Sequence, residues 1–226
     1  GKAGGAIGSW FTQVLTTSCI FGENQVGLGR FGQSILGGGA ISSYASTVEI
    51  AECEFDRNRT EGDAFVYGQD GGAICQVFGS ELYCRSSSFT SNVSGGSGGS
   101  IASIDSFVEI GESSFSTNAS MGGQGGSLMI SGGGIGVIDS DFSGSWSMWG
   151  NGAEAAHIAG VSGMYDRCTF QGGIALVGGG AVSQVDSMLA YYDCEFRDAM
   201  ADEDGGAVYN QNSDVVIEDC LFDGSS

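Results

Sequence analysis

The residues best suited to catalysis are carboxylates that stand near arginines in the last third of the sequence. Asp166 precedes Arg167, and Asp193 stands four residues before Arg197. Enzymes that cleave or epimerise polysaccharides use carboxylates as acid and base, usually with a cation beside them. The acidic run at 202–204 offers oxygen ligands of the kind that calcium prefers. Catalysis, calcium binding and a solvated charged face all remain open, and we favour the solvated face.

Other chemistry-bearing motifs are weaker. The segment 27–32 matches G-x-G-x-x-G but has no βαβ unit around it, as a dinucleotide site requires. His157 is the single histidine and has no nucleophile beside it. The cysteines show no zinc spacing. We therefore predict no enzyme activity and no cofactor, with calcium on the acidic loops as the one exception kept open.

Four asparagines follow a phenylalanine by three residues, and three of them, Asn58, Asn92 and Asn118, also begin an Asn-x-Ser/Thr sequon. In one interpretation these three are glycosylation acceptors. In the other they stack as a polar ladder that hydrogen-bonds along a repeating structure. A buried amide cannot carry a glycan, so the two interpretations compete at each residue. We favour the ladder.

The composition restricts the class of protein. The 226 residues include 42 glycines and no proline, and 41% are hydrophobic, too many for a disordered chain. A net charge of −20 with seven scattered basic residues makes nucleic acid a poor partner. No apolar run is long enough for a membrane helix, so we expect no membrane span.

A repeat of two anchors runs through the sequence. One anchor is a corner of small residues and the other is a phenylalanine, and 17 residues separate them in seven repeats and 18 in the third. The interval from each phenylalanine to the next corner varies from 9 to 17 residues. A fixed period of this size indicates stacked units, with insertions confined to one loop. The corners begin at Gly4, Gly38, Gly71, Gly98, Gly125, Ala153, Gly179 and Gly205, and the phenylalanines are Phe21, Phe55, Phe89, Phe115, Phe142, Phe170, Phe196 and Phe222.

Within the fixed segment apolar residues alternate with polar ones, which predicts short strands. Strands and glycine corners at about 26 residues per unit predict an all-β fold, a single right-handed parallel β-helix of about eight coils over residues 1–226. Like residues then stack on like along the rod, so Phe, Val/Ile and Cys/Ser form internal columns.

Five of the seven cysteines occupy one strand position of the repeat, where other repeats carry serine. Stacked coils lie about 4.8 Å apart, farther than the Cβ separation that a disulfide prefers. We therefore predict a buried column of thiols. Cys75 and Cys84 stand off this position within one coil and are the best candidates for a disulfide.

The paired Gly-Gly-Ala-Ile and Phe-x-x-Asn motifs, as in Gly38–Ile41 and Phe55–Asn58, resemble the passenger repeats of the chlamydial polymorphic outer-membrane proteins. The resemblance covers the chain as a repeat pattern, although asparagine is absent after the last four phenylalanines. It implies a right-handed β-helix displayed outside a cell, often in adhesion.

Two long insertions, 25–37 and 59–70, fall in the same loop of neighbouring repeats and are expected to stack into a lateral protrusion. Their apolar residues either pack on each other or form an interaction surface. The candidates for that surface are Phe31, Ile35, Leu36, Phe65, Val66 and Tyr67.

The first and last repeats both keep the motif, and joining residue 226 to residue 1 gives a phenylalanine interval of 25, close to the usual 26. We therefore expect head-to-tail continuation, either within a longer β-helix or between copies in a filament. Our first hypothesis is an extracellular or cell-surface, non-enzymatic structural rod. The alternatives are a surface adhesin that binds protein or glycan through the insertions and, less favoured, a polysaccharide lyase or epimerase.

Overall fold

A computed structural model describes residues 5–27, 37–61 and 70–226, and these residues form a right-handed parallel β-helix. Every strand pairing in it is parallel, and the described residues contain no helix. Accordingly, none of them lies in a helix that could cross a membrane. The fold class predicted from the repeat is confirmed.

The strands are short because glycine and polar corners interrupt each coil. The first half of the rod contains β1 (Ile7–Trp10), β2 (Gln13–Thr17), β3 (Ile20–Gly22), β4 (Gln25–Val26), β5 (Ile41–Tyr44), β6 (Thr47–Ala51), β7 (Glu54–Asp56), β8 (Arg59–Thr60), β9 (Ile74–Val77), β10 (Glu81–Arg85), β11 (Ser88–Thr90), β12 (Val93–Ser94), β13 (Ile101–Gly111), β14 (Ser114–Ser116) and β15 (Ala119–Ser120). The second half contains β16 (Leu128–Ile138), β17 (Asp141–Ser143), β18 (Trp146–Ser147), β19 (Ala155–Ile158), β20 (Ser162–Asp166), β21 (Thr169–Gln171), β22 (Ile174–Ala175), β23 (Val182–Val185), β24 (Met188–Tyr192), β25 (Glu195–Arg197), β26 (Met200–Ala201), β27 (Val208–Gln211), β28 (Asp214–Glu218) and β29 (Leu221–Asp223).

Three sheets run along the rod. The first, of fourteen strands, takes two strand segments from most coils, and β13 and β16 join the two segments into one long strand. The second sheet has eight strands, from β3 to β29, and the third has seven, from β4 to β26. Among the described residues, eight coils thus contribute a strand to the second sheet and seven of them contribute one to the third, so the number of complete coils differs slightly from the eight predicted.

The core is a set of columns formed by residues that face inward at the same position of each coil. The eight repeat phenylalanines pair in register through the second sheet, and successive rings stack with centroids 4.7–5.0 Å apart. Phe55 and Phe196 are fully buried, as are the four phenylalanines between them. Burial of one such side chain stabilises the fold by about 2–3 kcal/mol, so the column explains why the spacing to phenylalanine is held fixed.

The glycine corners are required by close contact between coils. A Cβ built on Gly99 would stand 1.9 Å from the carbonyl oxygen of Gly126 in the next coil. Corners elsewhere use non-glycine residues with positive φ, and two of these are aromatic: Phe11 has φ 51° and Phe78 has φ 56°. Asp105, Gly132 and Asp186 take that corner in three of the later coils, and these residue types tolerate the conformation better.

The two predicted insertions start inside the third sheet. Their first residues form β4 and β8, which pair with each other. Residues 28–36 and 62–69 lie outside the described part of the chain, so the predicted protrusion does too.

Candidate functional site

The three sequon asparagines lie inside the rod and form a hydrogen-bonded ladder. Asn58, Asn92 and Asn118 are 0% exposed. The backbone N–H of Asn58 donates to Oδ1 of Asn92 at 2.9 Å, and that of Asn92 donates to Oδ1 of Asn118 at 2.9 Å. Each Nδ2 also donates to a phenylalanine carbonyl of an earlier coil. A glycan on Nδ2 has no space in this arrangement, so the folded rod favours the ladder over glycosylation at all three residues.

The ladder ends at Glu154, a residue of the degenerate corner. The N–H of Asn118 donates to Ser145, which stands at the next position of the column, and the N–H of Ser145 donates to Oε1 of Glu154 at 2.9 Å. Gly173 follows in the column, and a Cβ there would stand 3.2 Å from Cγ of Glu154. The glutamate therefore occupies the space that an asparagine side chain takes in earlier coils. Burial raises its pKa to about 7.

The cysteines are free thiols, and the predicted Cys75–Cys84 disulfide is absent. Cys84 faces the hydrophobic core, in register with Ile50 and Ile110. Cys75 is also buried, but it follows the core residue Ile74 in β9 and so faces the other side of the sheet. The prediction was wrong because the two side chains point to opposite sides of the coil wall. The cysteines at the strand position of the repeat form the predicted column, with Cys53, Cys168 and Cys194 buried.

The arginines of the catalytic hypothesis are ion-paired on the surface. Arg167 binds Asp139 through two nitrogens at 2.7 and 3.0 Å and reaches Asp166 at 2.5 Å. Arg197 pairs with Glu195 at 2.9 Å. Both arginines thus pair with carboxylates of the rod itself, as expected of a charged surface, although Nε of Arg197 has no hydrogen-bond partner.

His157 is buried inside the rod, where Nε2 lies 2.9 Å from the hydroxyl oxygen of Tyr165. Burial lowers its pKa to about 3, so the ring is neutral.

Within the described ranges, no group of three or more His, Cys, Asp or Glu side chains is placed to hold a metal ion. Calcium binding by the acidic loops stays a prediction, as does the interaction surface of Phe31, Ile35, Leu36, Phe65, Val66 and Tyr67, which lies outside the described residues.

One outward-facing column of the second sheet is apolar only at its two ends. Ile20 begins it and is 75% exposed, and Leu221 ends it and is 44% exposed. Between them the column is polar throughout. Its members, in order, are Ile20, Glu54, Ser88, Ser114, Asp141, Thr169, Glu195 and Leu221. Alignment of the eight repeats by their phenylalanines is enough to reveal this pattern in the sequence.

The last coil is the more open end of the rod. Phe222 is 45% exposed, whereas Phe21 in the first coil is 9% exposed. Val216 and Ile217 of β28 are also more than two-fifths exposed. The outer edge of this coil therefore combines unpaired strand groups with an apolar surface.

An exposed aromatic patch lies beside the first coils and consists of Trp10, Phe11, Tyr44 and Phe78. The ring of Tyr44 stacks on Trp10 at 5.0 Å and contacts the two phenylalanines at 5.4 Å. Trp10, Phe11 and Phe78 are more than half exposed. Phe11 and Phe78 occupy corner positions with positive φ, a conformation that recurs at the corners of the other coils.

A groove of about 910 Å³ crosses the outer face of the first sheet, and we call it the lateral groove. Its floor is β16, where Gly134 and Gly136 occupy successive outward positions. Phe107 and Glu109 of β13 flank the floor on one side, and Met164 of β20 flanks it on the other. The groove continues to Tyr192 on β24 and to Arg85 on β10. Gly134 and Gly136 create the depression because they leave out two side chains.

In comparisons with known proteins, no family model, no curated protein and no solved structure matches the chain.

Proposed function

We propose that this chain is a non-enzymatic structural rod whose copies stack end to end into a filament or surface layer. The observation that supports the proposal is the Ile20–Leu221 column. A solvent-facing column that is polar along the rod but apolar at both ends fits a contact in which one end covers the other. Stacking one copy on the next covers both residues with a coil that continues the column.

The registers of the two end coils match when the last coil of one copy is placed beneath the first coil of the next. Continuing the pairing of the rod by one step sets Leu221 beside Ile20, Val216 beside Leu15, and Asp214 beside the Gln13 amide. Leu15 is 68% exposed, so this contact would also bury part of its side chain. The unpaired strand edges of both coils would then satisfy each other, as they do between coils inside the rod. Such a heterologous contact does not close, and it produces an open fibre.

A location outside the cell, or on its surface, is part of the proposal. It is supported by the resemblance of the Gly-Gly-Ala-Ile and Phe-x-x-Asn motifs to the chlamydial passenger repeats. The strongly acidic charge of −20 also suits a soluble surface that does not bind nucleic acid.

Electron microscopy and sedimentation of the purified protein test the assembly. We expect fibres whose axial repeat is one rod length, roughly 35–40 Å for eight coils at about 4.8 Å each. Leu221→Glu and Ile20→Glu should each disperse the fibres, because each replaces the apolar contact between the two ends with a carboxylate that stands beside Glu195 or Glu54 in the column. Ser114→Glu adds the same charge to the middle of the same column and should leave the fibres intact.

A charge exchange identifies the geometry of the contact. The double variant Ile20→Glu/Leu221→Lys places opposite charges across a head-to-tail junction and should restore fibres that Ile20→Glu alone disperses. Short dispersed rods for the wild type at all concentrations would contradict the proposal. If the double variant does not restore the fibres although both single variants disperse them, the copies meet in another geometry.

The aromatic patch supports a second candidate function, adhesion to a host protein or glycan. Phe11→Asn and Phe78→Asn remove exposed rings and replace them with a residue that accepts positive φ, so the fold should be retained. Beads coated with the double variant should adhere to cultured cells less than beads coated with the wild type. Equal adhesion would remove the patch from consideration.

A further inference from the structure

We propose that the lateral groove binds a neutral oligosaccharide. This proposal is independent of end-to-end assembly, because every lining residue lies in an internal coil. The groove extends from Arg85 on β10 to Tyr192 on β24, which spans five neighbouring strands and so roughly 19 Å along the rod at about 4.8 Å per strand. That length suits a chain of several sugar rings rather than a single small molecule.

The lining combines apolar surfaces with hydrogen-bond acceptors. Phe107 and Met164 are each 38% exposed and lie diagonally across the glycine floor, with Phe107 beside Gly134 and Met164 beside Gly136. Along one rim, the carboxylates of Glu109, Glu112 and Asp139 line the groove. A pyranose ring has an apolar C–H face and a rim of hydroxyl donors. The C–H face can therefore lie on Phe107 and Met164, while the hydroxyl groups donate hydrogen bonds to the rim carboxylates. This is the usual composition of ligand sites, an apolar lining with a few placed polar groups.

The charges of the groove select against an anionic ligand. Arg85, the cation in the lining, already pairs with Glu109 at 3.1 Å. Arg167, beside the rim, is held by Asp139. Neither arginine is therefore free to neutralise a uronate, sulfate or phosphate group, and three rim carboxylates would repel one. The polyuronate substrates of the lyase hypothesis fit this surface poorly.

The position of the groove also distinguishes a sugar chain from a peptide. A peptide strand that binds a β-sheet usually pairs with the backbone of an exposed edge. The floor of this groove is the face of a central strand, since β16 pairs with β13 on one side and with β19 and β20 on the other. Its backbone groups are already bonded to neighbouring coils. Recognition must therefore use side chains. All three rim carboxylates already have an arginine or a serine partner, which lowers their demand for a cation.

The test is titration of the native protein, labelled with ¹³C at the methionine methyl groups, with neutral oligosaccharides. The probes are the hexaoses of cellulose, starch, xylan, mannan and N-acetylated chitin, with oligogalacturonate and hexa-arginine as charged comparisons. We expect at least one neutral hexaose to shift the methyl signal of Met164, which Met164→Leu assigns.

Filling the floor should abolish this binding without unfolding the rod. No heavy atom lies within 4 Å of a Cβ built on Gly136, and its φ is not positive, so Gly136→Ile is tolerated and enters the groove. We expect the affinity to fall at least tenfold. Gly22→Ile is the matched control, because Gly22 is an exposed strand glycine whose nearest atom to a built Cβ is a carbonyl oxygen at 4.0 Å, in the second sheet.

Three outcomes would overturn the proposal. They are the absence of a Met164 shift with every neutral hexaose, tighter binding of oligogalacturonate or hexa-arginine than of any neutral probe, and an equal loss of affinity in Gly136→Ile and Gly22→Ile.

Discussion

The carboxylate of Glu154 accepts the backbone N–H of Ser145 at 2.9 Å, the interaction that the side chains of Asn58, Asn92 and Asn118 make to the preceding coils. The same carboxylate accepts a hydrogen bond from the Ser127 hydroxyl at 3.3 Å. A residue from the corner thus replaces a residue of the turn at the point where the asparagine column ends. The change of motif halfway along the sequence is therefore compensated inside the rod.

The stability of the rod should fall as pH rises from about 4.5 to 7 because of Glu154. Its pKa is about 7 in the folded chain, against about 4.3 when unfolded, so the folded state holds the proton longer. By linkage, ionisation of Glu154 above pH 7 lowers the free energy of unfolding by about 3 kcal/mol. In Glu154→Gln this dependence should disappear, as measured by urea unfolding at several pH values.

The control for that series is Glu218→Gln, which removes one exposed carboxylate from the last coil. It should leave the difference between low and neutral pH as in the wild type. A Glu154→Gln variant with the full wild-type slope would show that another group carries the pH dependence.

Asn92→Ala should strongly destabilise the rod. The side chain accepts the N–H of Asn58 and donates to the carbonyl of Phe55, both at 2.9 Å and both buried. Removal leaves these groups without partners, at a cost of about 1–3 kcal/mol for each. Ser91→Ala changes the exposed neighbour and should alter the free energy of unfolding by less than about 0.5 kcal/mol. Equal stability of the two variants would contradict the ladder.

Truncation of the phenylalanine column should cost more in the middle than at its open end. Phe89 stacks on a ring at 4.7 Å on either side and is fully buried, so Phe89→Ala should destabilise by about 3–5 kcal/mol. Phe222→Ala should cost less than half as much in dispersed protein, since Phe222 is 45% exposed. Chemical denaturation below the concentration of assembly measures both. Similar losses would mean that the last coil is already covered.

Thiol reactivity should separate the two half-buried end cysteines from the rest. Burial raises the pKa of Cys84 to about 12 and also raises that of Cys75, and the thiolate is the reactive form. Cys19 and Cys220 are the partly exposed ones, so Ellman's reagent should modify these first and all seven in denaturant.

The same thiol experiment tests the absence of a disulfide. Unfolding curves with and without dithiothreitol should coincide, and five native thiols should stay protected. Fewer than seven reactive thiols in denaturant without reductant would show that a disulfide forms. In fibres, protection of Cys19 and Cys220 should increase, because the junction places them in the same column.

Sequence by itself determined the β-helix, because a period of about 26 residues with period-two alternation is satisfied when stacked coils place the repeat phenylalanines in one internal column. It also determined which residues stack, since parallel coils in register put equal positions of the repeat in one column. The polar column that is apolar at Ile20 and Leu221 follows from that alignment alone. The asparagine ladder could be predicted for the same reason, although its competition with glycosylation could not be resolved without burial.

Only the tertiary structure showed which side chains face the core and which face outward, and which residues of neighbouring coils contact each other. Cys75 and Cys84 are close in sequence, but only the strand pleat shows that one faces the core and the other does not. In the sequence Glu154 only interrupts the corner motif. The structure shows that Gly173, which has no side chain, leaves space for the glutamate side chain inside the rod. The lateral groove exists because Gly134 and Gly136 face outward while larger side chains flank them on the next coils. Each of these depends on side-chain direction and on contacts between coils, which repeat spacing does not contain.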